Sequence, residues 1–244
     1  MLSCACLDVL ICGEYMSKPK LLDLFCGAGG SAVGYARAGF EVVGVDIAPQ
    51  PHYPFAFIQA DALSFPLDGF DVIHASPPCQ GYSRTQFMPN VKSPRPLLIA
   101  IVRARLEQSG IPWIIENVAF SDLPDALELC GSMFGLPIRR HRWFAGSHLL
   151  FAPGSCKHVK GFFNPVGGKV RGYGTNASQT TYQDAKGCMR KREGYYRLSV
   201  GHMAMGIDWM SLDELSQAIP PAYTEWLGRQ LIAILEGEAL CTSR

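Results

Sequence analysis

Short apolar runs alternate with helix-like segments through the first half of the chain, and this alternation constrains the fold more than any other feature. The first run, residues 20–25, leads into the glycine-rich turn 26–30, and residues 31–38 are typical of a helix that ends at Gly39. Strands that alternate with helices predict an α/β sheet, largely parallel. Further strands are predicted at 41–45, 55–59, 70–75 and 113–116, and part of a hairpin at 142–150. Helices are predicted at 96–109, at 211–215, where Ser211 is a capping residue, and at 224–236.

Polar residues follow the ends of these predicted strands. In a parallel sheet, ligands bind at the carboxyl ends of the strands, so side chains at these ends are expected to gather around one cleft. Chance would scatter them along the chain instead. The residues in question are Asp23, Asp46, Asp61, Cys79 and Glu116.

The glycine-rich turn after the first strand is a candidate cofactor site, because glycines let a ligand approach the backbone closely. A glycine turn alone is weak evidence, since many nucleotide-binding folds have one, and the strict GxGxxG pattern is absent. Asp46 stands where a carboxylate can bind ribose hydroxyls, and Asp61 could meet an adenine amino group. Either aspartate could instead form a turn or a cap. The set favours an adenosine ligand without a pyrophosphate.

Cys79 follows two prolines, Pro77 and Pro78, which fix the backbone and hold the next side chain in place. A lone cysteine is more often a small buried hydrophobe, but one held this way can act as an exposed nucleophile. Glu116 ends the next strand and could face the same cleft. The segment 140–142 adds cationic side chains just beyond.

Several motifs in this order resemble the cytosine-C5 methyltransferase family, from about residue 21 to residue 235. LDLFCGAGG (22–30), GVDIAPQ (44–50) and ADALSF (60–65) are similar to its first three motifs. SPPCQGYS (76–83), IIENV (114–118) and RRHRWF (139–144) are similar to its catalytic motifs, and AIPPAYTEWLG (218–228) to its last. Two positions depart from the family pattern: Ile138 replaces a glutamine, and residues 216–218 lack the usual asparagine.

The resemblance implies a Rossmann-like sheet that binds S-adenosyl-L-methionine, with a small target-recognition lobe. It implies Cys79 as nucleophile, Glu116 as the contact to the base, and Arg140 and Arg142 as catalytic support. The residues expected at the cofactor are Asp23, Phe25, Cys26, Gly27, Gly29, Gly30, Asp46, Ile47, Asp61, Ala62 and Pro78. Those expected at the DNA substrate are Ser76, Pro77, Gln80, Ser83, Asn117, Val118, Lys169 and Arg171.

One segment of the chain is strongly basic although the net charge is only +1. Residues 155–197 hold nine Lys and Arg against two Asp and Glu, whereas the rest holds thirteen against nineteen. This favours a local contact with a polyanion, although a solvated loop would look the same. We predict an N-terminal extension (1–17), a catalytic and cofactor-binding domain (18–150), a small recognition region (151–198) and a segment that returns to the catalytic domain (199–244).

The expected partner is double-stranded DNA, bound by a monomer in the cytoplasm of a bacterial or phage-infected cell. No apolar run reaches the length of a membrane span, so no membrane contact is expected. We predict no metal site: Cys130, Cys156 and His158 could supply ligands, but their spacing is poor.

Three alternatives stay open. The nearest is a tRNA cytosine methyltransferase of the same architecture, because the catalytic motifs do not distinguish the polymer. A catalytically silent DNA-binding homologue is disfavoured, since all three catalytic positions are filled. An unrelated NAD-binding oxidoreductase is disfavoured further.

Overall fold

A seven-stranded sheet forms the centre of the computed structural model, which describes residues 17–79, 97–158, 181–183, 189–191 and 198–242. The strand order is β3-β2-β1-β4-β5-β7-β6. The first five strands pair in parallel, whereas β7 runs antiparallel to both of its neighbours. The predicted α/β sheet, largely parallel, is therefore confirmed. The strands are β1 (Lys20–Leu24), β2 (Glu41–Asp46), β3 (Ala56–Gln59), β4 (Val72–Ala75), β5 (Trp113–Val118), β6 (Leu127–Leu129) and β7 (Arg142–Gly146).

Five α-helices accompany the sheet in the described ranges, and a separate pair of strands forms a small antiparallel ribbon. None of these helices is long and apolar enough to cross a bilayer. The helices are α1 (Gly30–Ala38), α2 (Ile99–Ser109), α3 (Leu198–Met205), α4 (Leu212–Gln217) and α5 (Pro221–Thr242), and the ribbon strands are β8 (Thr181–Gln183) and β9 (Met189–Lys191).

Local sequence signals account for several helix ends. Gly39 closes α1 at φ 120°, and its N–H bonds to carbonyls in the last turn. Ser211 caps α4 as predicted, because its side chain accepts from the Glu214 N–H while the Glu214 carboxylate bonds back to the Ser211 backbone. α5 begins at Pro221, three residues before its predicted start. A proline is accepted in the first turn of a helix, where its missing N–H would have no partner in any case.

The sheet buries one apolar cluster on each face. The first packs under α1 and α5 and includes Tyr35, Phe144, Tyr223 and Leu227. The second packs under α2 and includes Val102 and Leu106. The result is a three-layer α/β domain.

Helix α5 packs so closely on α1 that no side chain fits between them at one position. A Cβ on Gly34 would lie 2.0 Å from Thr224 Oγ1 and 2.2 Å from the Pro221 carbonyl oxygen. The Thr224 hydroxyl donates to the Ser31 carbonyl at 2.8 Å. Helix α5, in the predicted returning segment, therefore packs directly against α1.

The chain reverses its direction across the sheet between β1 and β4. From β1 it proceeds outward through β2 to β3, and it then returns to place β4 on the other side of β1. Such a point opens a crevice at the carboxyl ends of the two strands, where ligands bind in open α/β sheets. The glycine-rich turn follows β1 and the Cys79 loop follows β4, so both predicted motifs border this crevice.

Three differences from the predicted elements have physical causes. β5 runs two residues further than predicted, since β7 pairs Asn117 with Trp143 and Val118 with Arg142. β6 was not predicted because it has only three residues, and α3 was not predicted because it has no acidic residue in its first turn to mark its start. Helix α2 begins at Ile99, and residues 80–96, which include its predicted start, lie outside the described ranges. Most of the predicted recognition region also lies outside them, so that region stays a prediction.

Candidate active site

The loop that carries Cys79 is held between two strands. The Ser76 N–H donates to the Leu24 carbonyl at the end of β1, at 3.1 Å. The Asn117 side-chain amide of β5 donates to the Pro77 carbonyl at 2.9 Å. Cys79 itself is a free, half-buried thiol. The loop therefore presents its thiol from a backbone that is fixed on both sides, as the two prolines predict.

Glu116 and Arg142 form a nearly buried ion pair beside this loop. The Arg142 Nε lies 2.9 Å from the Glu116 Oε1, with the two side chains 12% and 8% exposed. The antiparallel pairing of β5 with β7 brings them together, because it sets Val118 opposite Arg142. Arg142 also donates from Nη1 to the His141 carbonyl at 2.9 Å, which fixes the plane of its guanidinium.

Burial raises the pKa of Glu116, while Arg142 and Arg140 act in the opposite direction. A carboxyl in this position holds a proton more readily than an exposed glutamate does. Burial also raises the pKa of the Cys79 thiol, and the same two arginines lower it while Glu116 raises it. The four predicted catalytic side chains thus lie within electrostatic reach of one another.

Arg140 is buried and links this cluster to the C-terminal segment. Its Nη2 donates to the Ser216 carbonyl at 2.9 Å, and the Tyr223 hydroxyl donates to its backbone carbonyl at 2.5 Å. Its Nε and Nη1 have no hydrogen-bond partner among the described residues. Burial lowers the pKa of Arg140, which shows how costly this charge is without a carboxylate of its own.

A buried polar network behind Glu116 was not predicted from the sequence. The Ser76 hydroxyl bonds to the Glu116 carboxylate, the His74 Nε2 lies 2.8 Å from Ser76 Oγ, and the Tyr35 hydroxyl lies 2.9 Å from His74 Nδ1. Burial lowers the pKa of His74 to about 3, so the ring is neutral. Ser76 then donates to Glu116 and accepts from the His74 Nε2–H, while His74 Nδ1 accepts from Tyr35. The only sequence signal was a histidine inside an otherwise apolar strand.

The turn after β1 has an open face next to Asp46. Phe25 and Gly27 both have positive φ, at 57° and 49°, and a Cβ on Gly27 would meet nothing within 4 Å. The Gly27 N–H donates to one oxygen of Asp46 at 3.1 Å, and the Ala48 N–H donates to the other at 3.0 Å. Ile47 is 72% exposed beside them. An open backbone, a fixed carboxylate and an exposed apolar surface together fit an adenosine-containing ligand.

Other predicted cofactor residues lie beneath this turn. The Asp23 carboxyl is fully buried, and Oδ2 accepts from the Ser31 hydroxyl at 3.0 Å and the Tyr53 hydroxyl at 3.5 Å. Burial raises the pKa of Asp23 to about 8. The Cys26 thiol is also buried, and burial raises its pKa. These two side chains support the turn from below.

Gly29 and Gly30 allow close packing. A Cβ on Gly29 would lie 2.7 Å from Pro54 Cδ, and one on Gly30 would lie 2.4 Å from the Ile219 carbonyl oxygen. The glycines at these two positions are therefore required by neighbouring chain segments. A ligand could approach the backbone closely at Gly27, where a Cβ would meet nothing within 4 Å.

Asp61 caps the turn after β3, an alternative that the sequence left open. Its Oδ1 accepts from the Leu63 N–H at 2.9 Å, and its carbonyl accepts from the Ser64 and Phe65 N–H groups. The side chain remains exposed, while the neighbouring Ala62 is buried. Pro78 and Val118 are half-buried at the loop and at the end of β5. Four predicted substrate residues lie outside the described ranges: Gln80, Ser83, Lys169 and Arg171.

Comparison with known proteins supports the resemblance seen in the motifs. Residues 19–121 match the family model of the C-5 cytosine-specific DNA methylases. The type II methyltransferase M.AgeI of Thalassovita gelatinovora is 27% identical, in a match that covers 58% of this chain and 43% of that protein. The type II methyltransferase M1.HphI of Haemophilus parahaemolyticus is 33% identical over 28% of this chain and 23% of its own length. The chain thus spans less than half the length of either relative.

Solved structures share the fold over most of the chain. The Schizosaccharomyces pombe Dnmt2 methyltransferase aligns with a TM-score of 0.57 at 14% identity, covering 89% of this chain and 99% of that one. The Entamoeba histolytica methyltransferase EhMeth aligns with a TM-score of 0.55 at 13% identity and the same coverage. At such identities the likeness concerns the fold alone, and it confirms the predicted Rossmann-like α/β sheet.

Proposed function

We propose that the chain is a DNA (cytosine-5-)-methyltransferase, on the premise that residues 19–121 match the family model of the C-5 cytosine-specific DNA methylases. It would transfer a methyl group from S-adenosyl-L-methionine to C5 of a cytosine in duplex DNA. The observation that carries this proposal is the nearly buried Glu116–Arg142 pair, 2.9 Å apart, beside a fixed thiol at Cys79. A nucleophile, a proton donor and a cation together are what the chemistry of this ring requires.

Cytosine C5 is a poor nucleophile, and Cys79 would overcome this by covalent addition. Its thiolate attacks C6, and the electrons of the C5–C6 double bond become available at C5 in an enamine-like ring. Glu116 donates a hydrogen bond or a proton to N3 during this addition, which draws negative charge out of the ring. The raised pKa of Glu116 suits this role, because the carboxyl must carry a proton when the base arrives.

The two arginines, Arg140 and Arg142, would affect the ionisation of Glu116 and of Cys79. Arg142 orients Glu116 through the ion pair and can contact the carbonyl oxygen of the base. Arg142 and Arg140 both favour the thiolate of Cys79, against the effect of its burial. After the methyl transfer, loss of the C5 proton expels Cys79 as thiolate and restores the aromatic ring.

The open turn beside Asp46 would hold S-adenosyl-L-methionine, whose sulfonium supplies an electrophilic methyl group. Asp46 would bind the ribose hydroxyls, Ile47 would cover the adenine face, and Asp61 would reach its amino group. Phe25 and Gly27, whose backbone is open at this point, would border the rest of the ligand. The buried residues Asp23, Cys26, Gly29 and Gly30 would shape the turn from beneath.

Several observations favour duplex DNA as the polymer. Both curated relatives are named as type II methyltransferases, which also suggests a role in restriction and modification in the cytoplasm of a bacterial or phage-infected cell. Residues 155–197 carry the basic charge that a phosphate backbone requires. Because C5 and C6 are inaccessible inside a duplex, the cytosine would have to be flipped out of the helix.

The test is covalent trapping on DNA that contains 5-fluorocytosine, with S-adenosyl-L-methionine present. The fluorine cannot leave as a proton does, so an active chain should remain bound to the DNA through Cys79 in a denaturing gel. Cys79→Ser should form no adduct, whereas Cys12→Ser, which changes a thiol in the predicted N-terminal extension, should still form one.

Transfer of a tritiated methyl group identifies the polymer. We expect label in duplex DNA and none in tRNA. Label in tRNA alone would identify tRNA, and not DNA, as the substrate. Label in neither polymer, together with no covalent adduct, would contradict the proposed activity.

A further inference from the structure

Two cysteines and two histidines converge beside the active site although they are far apart in the sequence. One ligand atom from each of Cys130, His141, Cys156 and His158 lies within 4.8 Å of the other three. The Cys130 Sγ is 3.3 Å from the His158 Nε2, and the Cys156 Sγ is 3.4 Å from the His141 Nε2. The Cys156 Sγ lies 2.7 Å from the His158 Nε2. The distance between these residues along the sequence therefore does not reflect their proximity in the folded chain.

We propose that these four side chains bind one Zn²⁺ ion. In a tetrahedral site with zinc–sulfur bonds of about 2.3 Å and zinc–nitrogen bonds of about 2.0 Å, sulfur and nitrogen ligands lie about 3.5 Å apart. The Cys130–His158 and Cys156–His141 sulfur–nitrogen distances, 3.3 and 3.4 Å, are close to this value. The Cys156–His158 distance is 2.7 Å and would lengthen by about 0.8 Å when a metal binds. Two thiolates with two imidazoles select zinc over hard cations such as Mg²⁺ and Ca²⁺.

The fold explains why no sequence motif indicates these four ligands. Cys130 directly follows β6, and His141 directly precedes β7. The antiparallel pairing of these strands sets Leu129 opposite Arg142, which brings Cys130 and His141 side by side. Cys156 and His158 come from the chain beyond β7, where the predicted recognition region begins. The site joins three separate segments and so has no compact motif.

The surroundings of the four ligands also suit a dication. The Ser132 hydroxyl lies 3.5 Å from the sulfurs of both Cys130 and Cys156, and the Lys157 N–H donates to it at 3.1 Å. A hydroxyl held in this way can donate to a thiolate, as outer hydrogen bonds do around metal sites. The Glu128 carboxylate lies 3.8 Å from the His141 Nε2 and adds a negative charge nearby.

Four protein ligands fill a tetrahedral zinc site, so the ion would be structural and would not take part in the reaction. It would connect the start of the recognition region to the segment 140–142, because His141 lies between Arg140 and Arg142. The metal would thus fix the recognition region relative to the catalytic arginines. The competing chemistry is a disulfide between Cys130 and Cys156, both of which are free thiols in this structure.

Elemental analysis of the full chain, purified without a metal-affinity step, tests the proposal directly. We expect about one zinc per chain, retained on dialysis. Replacement by Co²⁺ should give the visible absorption of a tetrahedral site with thiolate ligands. Removal of the metal by a chelator should lower the thermal midpoint, and added zinc should restore it.

Matched variants separate the ligands from other residues of the same type. His158→Ala and Cys156→Ala should each lose the zinc. His158→Cys should keep it, because a thiolate can replace the imidazole. Cys79→Ser and His148→Gln change a thiol and an imidazole outside the cluster and should keep the zinc of the wild-type chain. Metal content does not depend on methyl transfer, so failure of the proposed function would leave this result unaffected.

Three outcomes would overturn the zinc site. The first is a folded chain that contains no zinc and takes up no cobalt. The second is a Cys130–Cys156 disulfide in peptide mapping of the chain purified under air. The third is equal zinc content in the wild-type chain, His158→Ala and Cys156→Ala, which would place any bound metal elsewhere. Loss of zinc from His158→Ala but not from His158→Cys would support the site even if the alanine variant were less stable.

Discussion

At Glu116 two physical effects oppose each other, and the balance decides what the side chain can do. Burial favours the neutral acid, whereas Arg142 at 2.9 Å favours the carboxylate. Burial is the larger effect, and the pKa lies above that of an exposed glutamate. The same arginine also lowers the pKa of Cys79 and there favours the reactive thiolate. One cation therefore adjusts both the proposed acid and the proposed nucleophile.

Replacing Arg142 by methionine should disturb both groups at once. The pKa of Cys79 and the pKa of Glu116 should rise, because the cation that favours both ionised forms is removed. We expect the rate of methyl transfer to fall by about 10²–10⁴ and its rise with pH to move to higher pH. The measurement is the pH profile of tritium transfer to DNA.

Arg142→Lys is the matched comparison, since it keeps the charge and loses the planar guanidinium. It should keep the pH profile near that of the wild-type chain, even if its rate is lower. If the methionine variant lost activity with an unchanged pH profile, the proposed effect on Cys79 would be wrong.

Asp23 provides a test in stability alone. Its pKa is about 8 in the folded chain, against 3.8 without burial. Between these values the folded chain keeps a proton that the unfolded chain has released. The free energy of unfolding should therefore fall as pH rises, by up to about 1.4 kcal/mol per pH unit. Asp23→Asn removes this titration. The free energy of unfolding of the variant, minus that of the wild-type chain, should therefore increase from about pH 4 to about pH 8.

Urea unfolding at a series of pH values measures this difference. Asp68→Asn, at an exposed aspartate on the same domain, is a suitable control and should follow the wild-type curve. Parallel curves for Asp23→Asn and the wild-type chain would show that the buried carboxyl keeps an ordinary pKa.

At the scale of elements, the sequence predicted what depends on local pattern. The runs around β1, β2 and β4 are apolar enough to identify buried strands, and Gly39 and Ser211 mark helix ends through well-understood capping. What depends on pairing across the sheet could not be predicted. The Glu116–Arg142 contact follows from the register of β5 and β7, and local pattern predicts neither that register nor the contacts of His74.

The contact between α1 and α5 allows a prediction about packing. Gly34→Ala would place a methyl group 2.0 Å from Thr224 Oγ1 and 2.2 Å from the Pro221 carbonyl. Because two backbones must separate to admit it, we expect a loss of about 1–3 kcal/mol in the free energy of unfolding. Chemical denaturation measures this loss.

Gly237→Ala is the control within the same pair of helices. Gly237 is exposed in α5, and a Cβ there would meet nothing within 4 Å. Alanine is the better helix former, so this variant should be more stable than the wild-type chain by about 0.5–1 kcal/mol. Equal effects of the two substitutions would mean that α1 and α5 are not in close contact at Gly34.

At the scale of the whole molecule, the distribution of charge assigns the proposed catalysis and the proposed DNA binding to two different regions. The predicted catalytic domain and returning segment hold the candidate site, but outside residues 155–197 the chain has more acidic than basic residues. DNA would therefore be attracted mainly by the segment 155–197, and binding should weaken steeply with salt. The proposed zinc ion would lie where this segment leaves the catalytic domain and would fix its orientation.

The size of the recognition region leads to a prediction about sequence specificity. Residues 151–198 number fewer than fifty, and such a segment offers few side chains that can reach base edges. We therefore expect a methylated site of about two to four base pairs, or a loosely defined one. Bisulfite sequencing of DNA from cells that express the chain gives the motif, with Cys79→Ser as the background. A well-defined motif of about six base pairs would contradict the expectation, because so many positions would need more base contacts than this region can supply.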